Sequence, residues 1–99
     1  MREIWVSKYE VLELIAGRTE TEKTTSLRGL SSHLDLSLEA ARNHLSRLWE
    51  ERLIEITGDR KPSYRNRLMP GERFRELRFV ISRRGLRRLS WYLERGDSP

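Results

Sequence analysis

The sequence predicts a mainly α domain that carries a small antiparallel β-ribbon. Three observations predict it. Apolar residues recur at helical spacing in four separate stretches of the 99-residue chain. Two short segments, Leu53 to Thr57 (LIEIT) and Glu76 to Ile81 (ELRFVI), alternate with the period of half-buried strands. Between them lies a Pro-, Gly- and Arg-containing stretch too long for a tight hairpin turn. The order is helix, helix, helix, strand, basic loop, strand, helix. That is a three-helix core, a two-stranded wing and a C-terminal helix.

Each element has its local reason. Ser7 and Glu10 form an S-x-x-E capping box, with Val6 and Val11 placed as a hydrophobic staple. Val11, Leu14 and Ile15 give the first helix its inward stripe, and Gly17 is expected to end it. Arg18 to Thr25 (RTETEKTT) is polar without periodicity and reads as a loop. Leu27, Leu30 and Leu34 mark a second helix, and Asp35 and Leu36 mark a turn. Ser37 is a good N-cap for a third helix that runs to about Glu51, with Glu39 where the helix dipole favours a carboxylate. Ala41, Leu45, Leu48 and Trp49 face inward, leaving Arg42, Asn43, Ser46 and Arg47 outward. Leu77, Phe79 and Ile81 share one face of the second strand. Ser82 caps the last helix, about Arg83 to Arg95, with Leu86, Leu89 and Leu93 as its stripe and Gly96 as its stop. Residues 1–95 form the folded domain and 96–99 a tail.

Composition limits the function classes. With 36% hydrophobic and 35% charged residues the core is small, and a partner subunit would help bury surface. The chain has no cysteine, which excludes disulfides and thiolate metal sites. His33 and His44 form no ligand pair, so no metal and no cofactor are expected. No phosphate-binding Gly-rich loop, zinc-protease helix or nucleophile elbow occurs, which argues against an enzyme. No apolar run approaches a membrane span and the start does not read as a signal peptide, so a cytoplasmic protein is expected. The net charge of +5 is unevenly placed: residues 1–57 carry 8 basic and 10 acidic side chains, residues 58–99 carry 12 and 5. Of the 20 basic residues, 17 are Arg, which suits bidentate contacts to phosphate and guanine. A polyanion partner is the physical expectation.

These residues resemble the winged helix-turn-helix of bacterial and archaeal regulators, most closely the MarR-like and ArsR-like groups. The resemblance runs over about residues 7–95. It rests on Leu30, Leu34, Leu36, Ser37, Leu45, Leu48, Leu53 and Ile54, followed by Ile81, Ser82 and Gly85 where the wing turns into the last helix. Asp59 and Arg60 echo the wing motif of MarR-like proteins. Two positions depart from the pattern: Asp35 and Arg52 stand where the family usually has Gly with a left-handed backbone. The third helix is therefore expected to end differently at Arg52. The resemblance implies a transcriptional regulator that lays its third helix in the major groove of duplex DNA.

The residues in position for that role are Ser37, Glu39, Ala40, Arg42, Asn43, Ser46 and Arg47 on the third helix. Arg42 or Arg47 fits guanine O6 and N7, Asn43 fits adenine N6 and N7, and Ser37 offers a hydroxyl to phosphate. In the wing, Arg60, Lys61, Tyr64, Arg65, Arg67, Arg73 and Arg75 are placed for backbone and minor groove. Trp5, Leu89, Trp91, Tyr92 and Leu93 suggest a homodimer through the first and last helices. The competing reading of these aromatics is that they complete the chain's own core. A protein–protein module of a nucleic-acid-processing complex and an RNA-binding winged helix are the alternative functions.

Overall fold

Four serines start the four helices seen in the computed structural model, which describes residues 6–57 and 74–96. The helices are α1 (Lys8–Glu20), α2 (Leu27–Leu34), α3 (Leu38–Glu50) and α4 (Arg83–Gly96). Ser7, Ser26 and Ser37 each accept a hydrogen bond from the backbone N–H three residues on, at 3.1 Å, and Ser82 does so at 2.9 Å. Each cap satisfies one orphan donor of the first turn and is worth about 1 kcal/mol. Val6 and Val11 are both buried, as a staple requires.

The other ends of α1, α2 and α3 are closed by non-glycine residues in the left-handed region: Glu22 at φ 61°, Asp35 at 52° and Arg52 at 63°. After α3, the Arg52 N–H donates to the Trp49 carbonyl and the Leu53 N–H to the Leu48 carbonyl, both at 2.9 Å. This is the Schellman pattern, and the buried Leu48 and Leu53 occupy its usual apolar positions. Arg52 thus takes the backbone that Gly takes in the family pattern, so the helix end expected to differ there does not. The same pair of bonds closes α1, from Glu22 to Thr19 and from Lys23 to Arg18.

Gly17 does not end the first helix. The chain continues helical through Arg18, Thr19 and Glu20, and the Thr19 hydroxyl donates back to the Ile15 carbonyl at 2.8 Å. Arg and Glu are good helix formers, and a single Gly costs a helix only about 1 kcal/mol. The inward stripe of α1 is Val11, Leu12 and Ile15, all at 0% exposure, while Leu14 is only half-buried.

Strand β1 (Ile54–Thr57) pairs antiparallel with β2 (Arg78–Ile81), Ile54 opposite Ile81 and Thr57 opposite Arg78. The far edge of β2 is also covered. Thr25 exchanges two backbone bonds with Phe79, at 2.9 and 2.8 Å, and the Thr19 hydroxyl accepts from the Ile81 N–H at 3.1 Å. The segment after α1, expected to be plain loop, therefore ends as a third partner of the ribbon. It is anchored by Arg18, whose guanidinium donates twice to the Thr24 carbonyl.

Phe79 is fully buried, with Trp49 edge-on at 6.4 Å and Phe74 at 5.7 Å between ring centroids. Phe74 lies in a 3₁₀ turn, Phe74–Glu76, that leads into β2. The second strand is thus shorter than expected, because this aromatic plug replaces its first residues. Around Phe79 the core gathers Leu12, Ile15, Leu30, Leu45, Leu48, Leu53 and Ile54.

Where β1, β2 and α4 meet, Ser82 makes three bonds besides the chain. Its hydroxyl donates to the Arg52 carbonyl at 2.7 Å and accepts from the Gly85 N–H, and its own N–H donates to the Leu53 carbonyl at 3.0 Å. A Cβ at Gly85 would collide with that Leu53 carbonyl and lie 2.7 Å from Ile81 Cγ1. Beside the α3 stripe, His44 is half-buried, and its pKa is lowered below 6.5 first by burial and then by the cation of Arg47.

Three outcomes are expected. Gly85→Ala lowers stability by about 2–3 kcal/mol in chemical denaturation, because the backbone it strikes cannot give way. Arg52→Gly raises stability by about 0.5–1 kcal/mol, the left-handed penalty relieved less the extra entropy of Gly, seen as a rise of a few degrees in Tm. The lowered pKa of His44 makes the unfolded chain take up a proton before the folded one. Its contribution is therefore present above pH 6.5 and lost as pH falls from there through the folded value. A stability profile from pH 7 to about pH 5 should fall, and His44→Gln should fall less.

Candidate nucleic-acid interface

The turn between α2 and α3 sets the outer face of α3. Asp35 adopts φ 52° and ψ 47°, and the next N–H, of Leu36, donates to the Ser31 carbonyl at 2.9 Å. The Ser31 hydroxyl returns a bond to the Leu36 carbonyl at 2.5 Å. Leu34 and Leu36 pack against the core from either side of this turn. An Asp carries the left-handed backbone here because short polar side chains tolerate it better than most.

On α3 the inward and outward sets fall as the apolar spacing predicts. Ala41, Leu45, Leu48 and Trp49 are buried; Glu39, Arg42, Asn43 and Arg47 are exposed; Ala40 and Ser46 are half-exposed. Ser37 is exposed, and its oxygen is engaged by the Ala40 N–H, so only its O–H remains to meet a phosphate. Asn43 and Arg47 make no hydrogen bond or ion pair among the described residues, which leaves their full donor sets open.

Arg42 is placed differently. Its guanidinium lies over the ring of Phe74, 5.2 Å from the centroid, so it joins the outer face of α3 to the root of the wing. Arg75, the next residue, is exposed beside it. Arg60, Lys61, Tyr64, Arg65, Arg67 and Arg73 lie outside the described residues. The outer face of α3 is close to neutral, since Glu39 and Glu50 stand with Arg42 and Arg47. Glu51, at its end, is held by Lys8 at 2.8 Å.

Leu38 went unnoticed in the sequence. It is the first residue of α3 and stays 51% exposed. Its spacing of three from Ala41 suggests the core stripe, but the core cluster does not include it. An apolar side chain there suits a thymine methyl group.

The aromatic surface expected at the chain ends is only partly present. Leu89 is 7% exposed and belongs to the chain's own core. Tyr92 stacks on Tyr9 of α1, with centroids 4.0 Å apart and planes 6° from parallel. Both contacts arise because α4 packs on α1, and Tyr92 stays half-exposed. Leu86, Trp91 and Leu93 remain 42–50% exposed, and Trp5 lies outside the described residues. Among the described residues no group of His, Cys, Asp or Glu is arranged to hold a metal ion. None of their helices is long and apolar enough to cross a membrane.

No protein-family model matches the chain, and no curated protein sequence does. Two solved structures are similar to it. RV1404 from Mycobacterium tuberculosis superposes with a TM-score of 0.58 at 19% identity, over 93% of this chain and 54% of that one. MarR of Staphylococcus aureus, solved in complex with salicylate and kanamycin, superposes with a TM-score of 0.57 at 16% identity, over 97% of this chain and 61% of that one. The chain thus spans little more than half the length of either. Four helices, the two-stranded ribbon and these two likenesses together make the fold a winged helix-turn-helix.

Proposed function

We propose that the protein is a sequence-specific regulator of transcription that binds duplex DNA as a homodimer. The observation that carries this is the open outer face of α3, where Asn43 and Arg47 have no hydrogen-bond or ion-pair partner among the described residues and follow a capped, exposed helix start. In this reading α3 enters the major groove, with Arg47 on guanine, Asn43 on adenine and Leu38 on a thymine methyl. Ser37 and the α3 N-terminus meet a phosphate. The wing, residues 58–75, supplies backbone and minor-groove contacts through its arginines. Glu39 faces the groove as well and can accept only from an exocyclic amine, cytosine N4 or adenine N6, which narrows the bases tolerated opposite it.

Leu86 and Leu93, one helical heptad apart on α4, are the exposed apolar residues that a second copy would cover. The shared fold with a protein named MarR supports the same reading. A two-fold dimer presents two α3 helices, and a palindromic site then follows with half-sites about one helical turn apart.

Selection of a duplex from a random pool, followed by salt titration, tests the reading. Arg47→Ala should weaken binding to the selected site about 5–150-fold and relax preference at one position. Arg75→Ala should weaken all sequences alike and lower the slope of log K against log salt by about 1. Absence of duplex binding at low salt, or an equal loss for Arg47→Ala on every sequence, overturns it.

A further inference from the structure

Helix α4 presents two different exposed faces. At about 100° per residue, Arg84, Arg87, Arg88, Trp91 and Arg95 fall within one arc, while Leu86 and Leu93 lie roughly 140–160° around from Trp91. Trp91 is 49% exposed, and the Arg95 guanidinium covers it 5.1 Å from the ring centroid. Arg84 and Arg87 are exposed and Arg88 half-exposed, and none of the three makes a hydrogen bond or ion pair among the described residues. Four cations thus surround one half-exposed aromatic ring, with Arg95 over it and a single acidic side chain, Glu94, about 60° away on the Arg87 side.

We infer that this face binds a single-stranded nucleic acid, an unpaired base stacking on Trp91 while the arginines hold the flanking phosphates. Each part of the surface fits that chemistry. Every base has a face that stacks on an aromatic ring, and Arg supplies both phosphate bonds and its own stacking plane. Duplex DNA uses only half of the surface, since its bases are already stacked. A second copy across a two-fold axis would set these arginines against themselves, which like charges disfavour. An anionic membrane would draw the leucines and the tryptophan into the same apolar layer, and they point to different sides of the helix.

Fluorescence titration of the full chain with short oligouridylate and oligodeoxythymidylate tests the assignment, the two arms separating RNA from DNA. Binding should quench tryptophan emission and weaken steeply with salt. Trp91→Ala should weaken it about 10-fold, at the stacking value expected for one base, and leave affinity for the selected duplex unchanged. Arg87→Gln should flatten the salt dependence. Both side chains are exposed, so both variants should keep the wild-type circular dichroism. Equal affinity of wild type and both variants for the oligonucleotides overturns the inference. So does self-association, or binding to phosphatidylglycerol vesicles, that Trp91→Ala abolishes while oligonucleotide affinity stays.

Discussion

The hydroxyl of Ser82 holds the molecule's two halves in register. It donates to the last turn after α3, through the Arg52 carbonyl, and caps α4 through the Gly85 N–H, while the Ser82 amide takes the Leu53 carbonyl. Three elements distant in sequence are thereby tied within one residue's reach: the end of α3, the start of β1 and the start of α4. Gly85 belongs to the same junction, because only a residue without Cβ lets α4 rest on that carbonyl. The orientation of α3 relative to the ribbon follows from it, and with it the direction in which Asn43 and Arg47 point.

A second tie works from the opposite edge of the ribbon. Thr25 pairs with Phe79 through the backbone, Thr19 caps the Ile81 amide, and Arg18 clamps the Thr24 carbonyl while its other nitrogen meets His33 Nε2 at 3.0 Å. The short polar stretch between α1 and α2 is therefore a brace. It joins α1, α2 and β2 without contributing an apolar side chain of its own, which is why hydropathy alone reads it as loop.

What the sequence discloses here is what short-range chemistry determines. Ser7, Ser37 and Ser82 could be read as caps because the bond spans three residues. The stripes of α2 and α3, and the alternation of Leu77, Phe79 and Ile81, could be read because one face is buried throughout. The end of α1 could not, since Gly17 competes with helix formers on both sides and the actual stop is a left-handed Glu22. Nor could Arg52, whose costly backbone is held by a bond from a residue 30 positions away. At the candidate interface the outward set on α3 was legible from spacing, whereas the pairing of Arg42 with Phe74 was not, because it joins elements that meet only in the folded chain. Leu89 was misplaced for a related reason. A small domain draws on terminal leucines to finish its own core before any remain for a partner.

The Arg42–Phe74 contact carries a consequence for recognition. A guanidinium that lies over a ring keeps its in-plane N–H donors, so the Phe74 contact holds Arg42 in place without using the donors a guanine edge would take. In the proposed DNA reading position 42 is then pre-placed: the ring contact, on the order of 0.5–2 kcal/mol, holds the side chain before a base arrives. A base that engaged Arg42 in that position would favour the seated Phe74, and a seated Phe74 would favour the base. By linkage the two effects are equal in free energy. Selectivity at this position is then a property of helix and wing together, and the grip on the backbone would vary with the base being read.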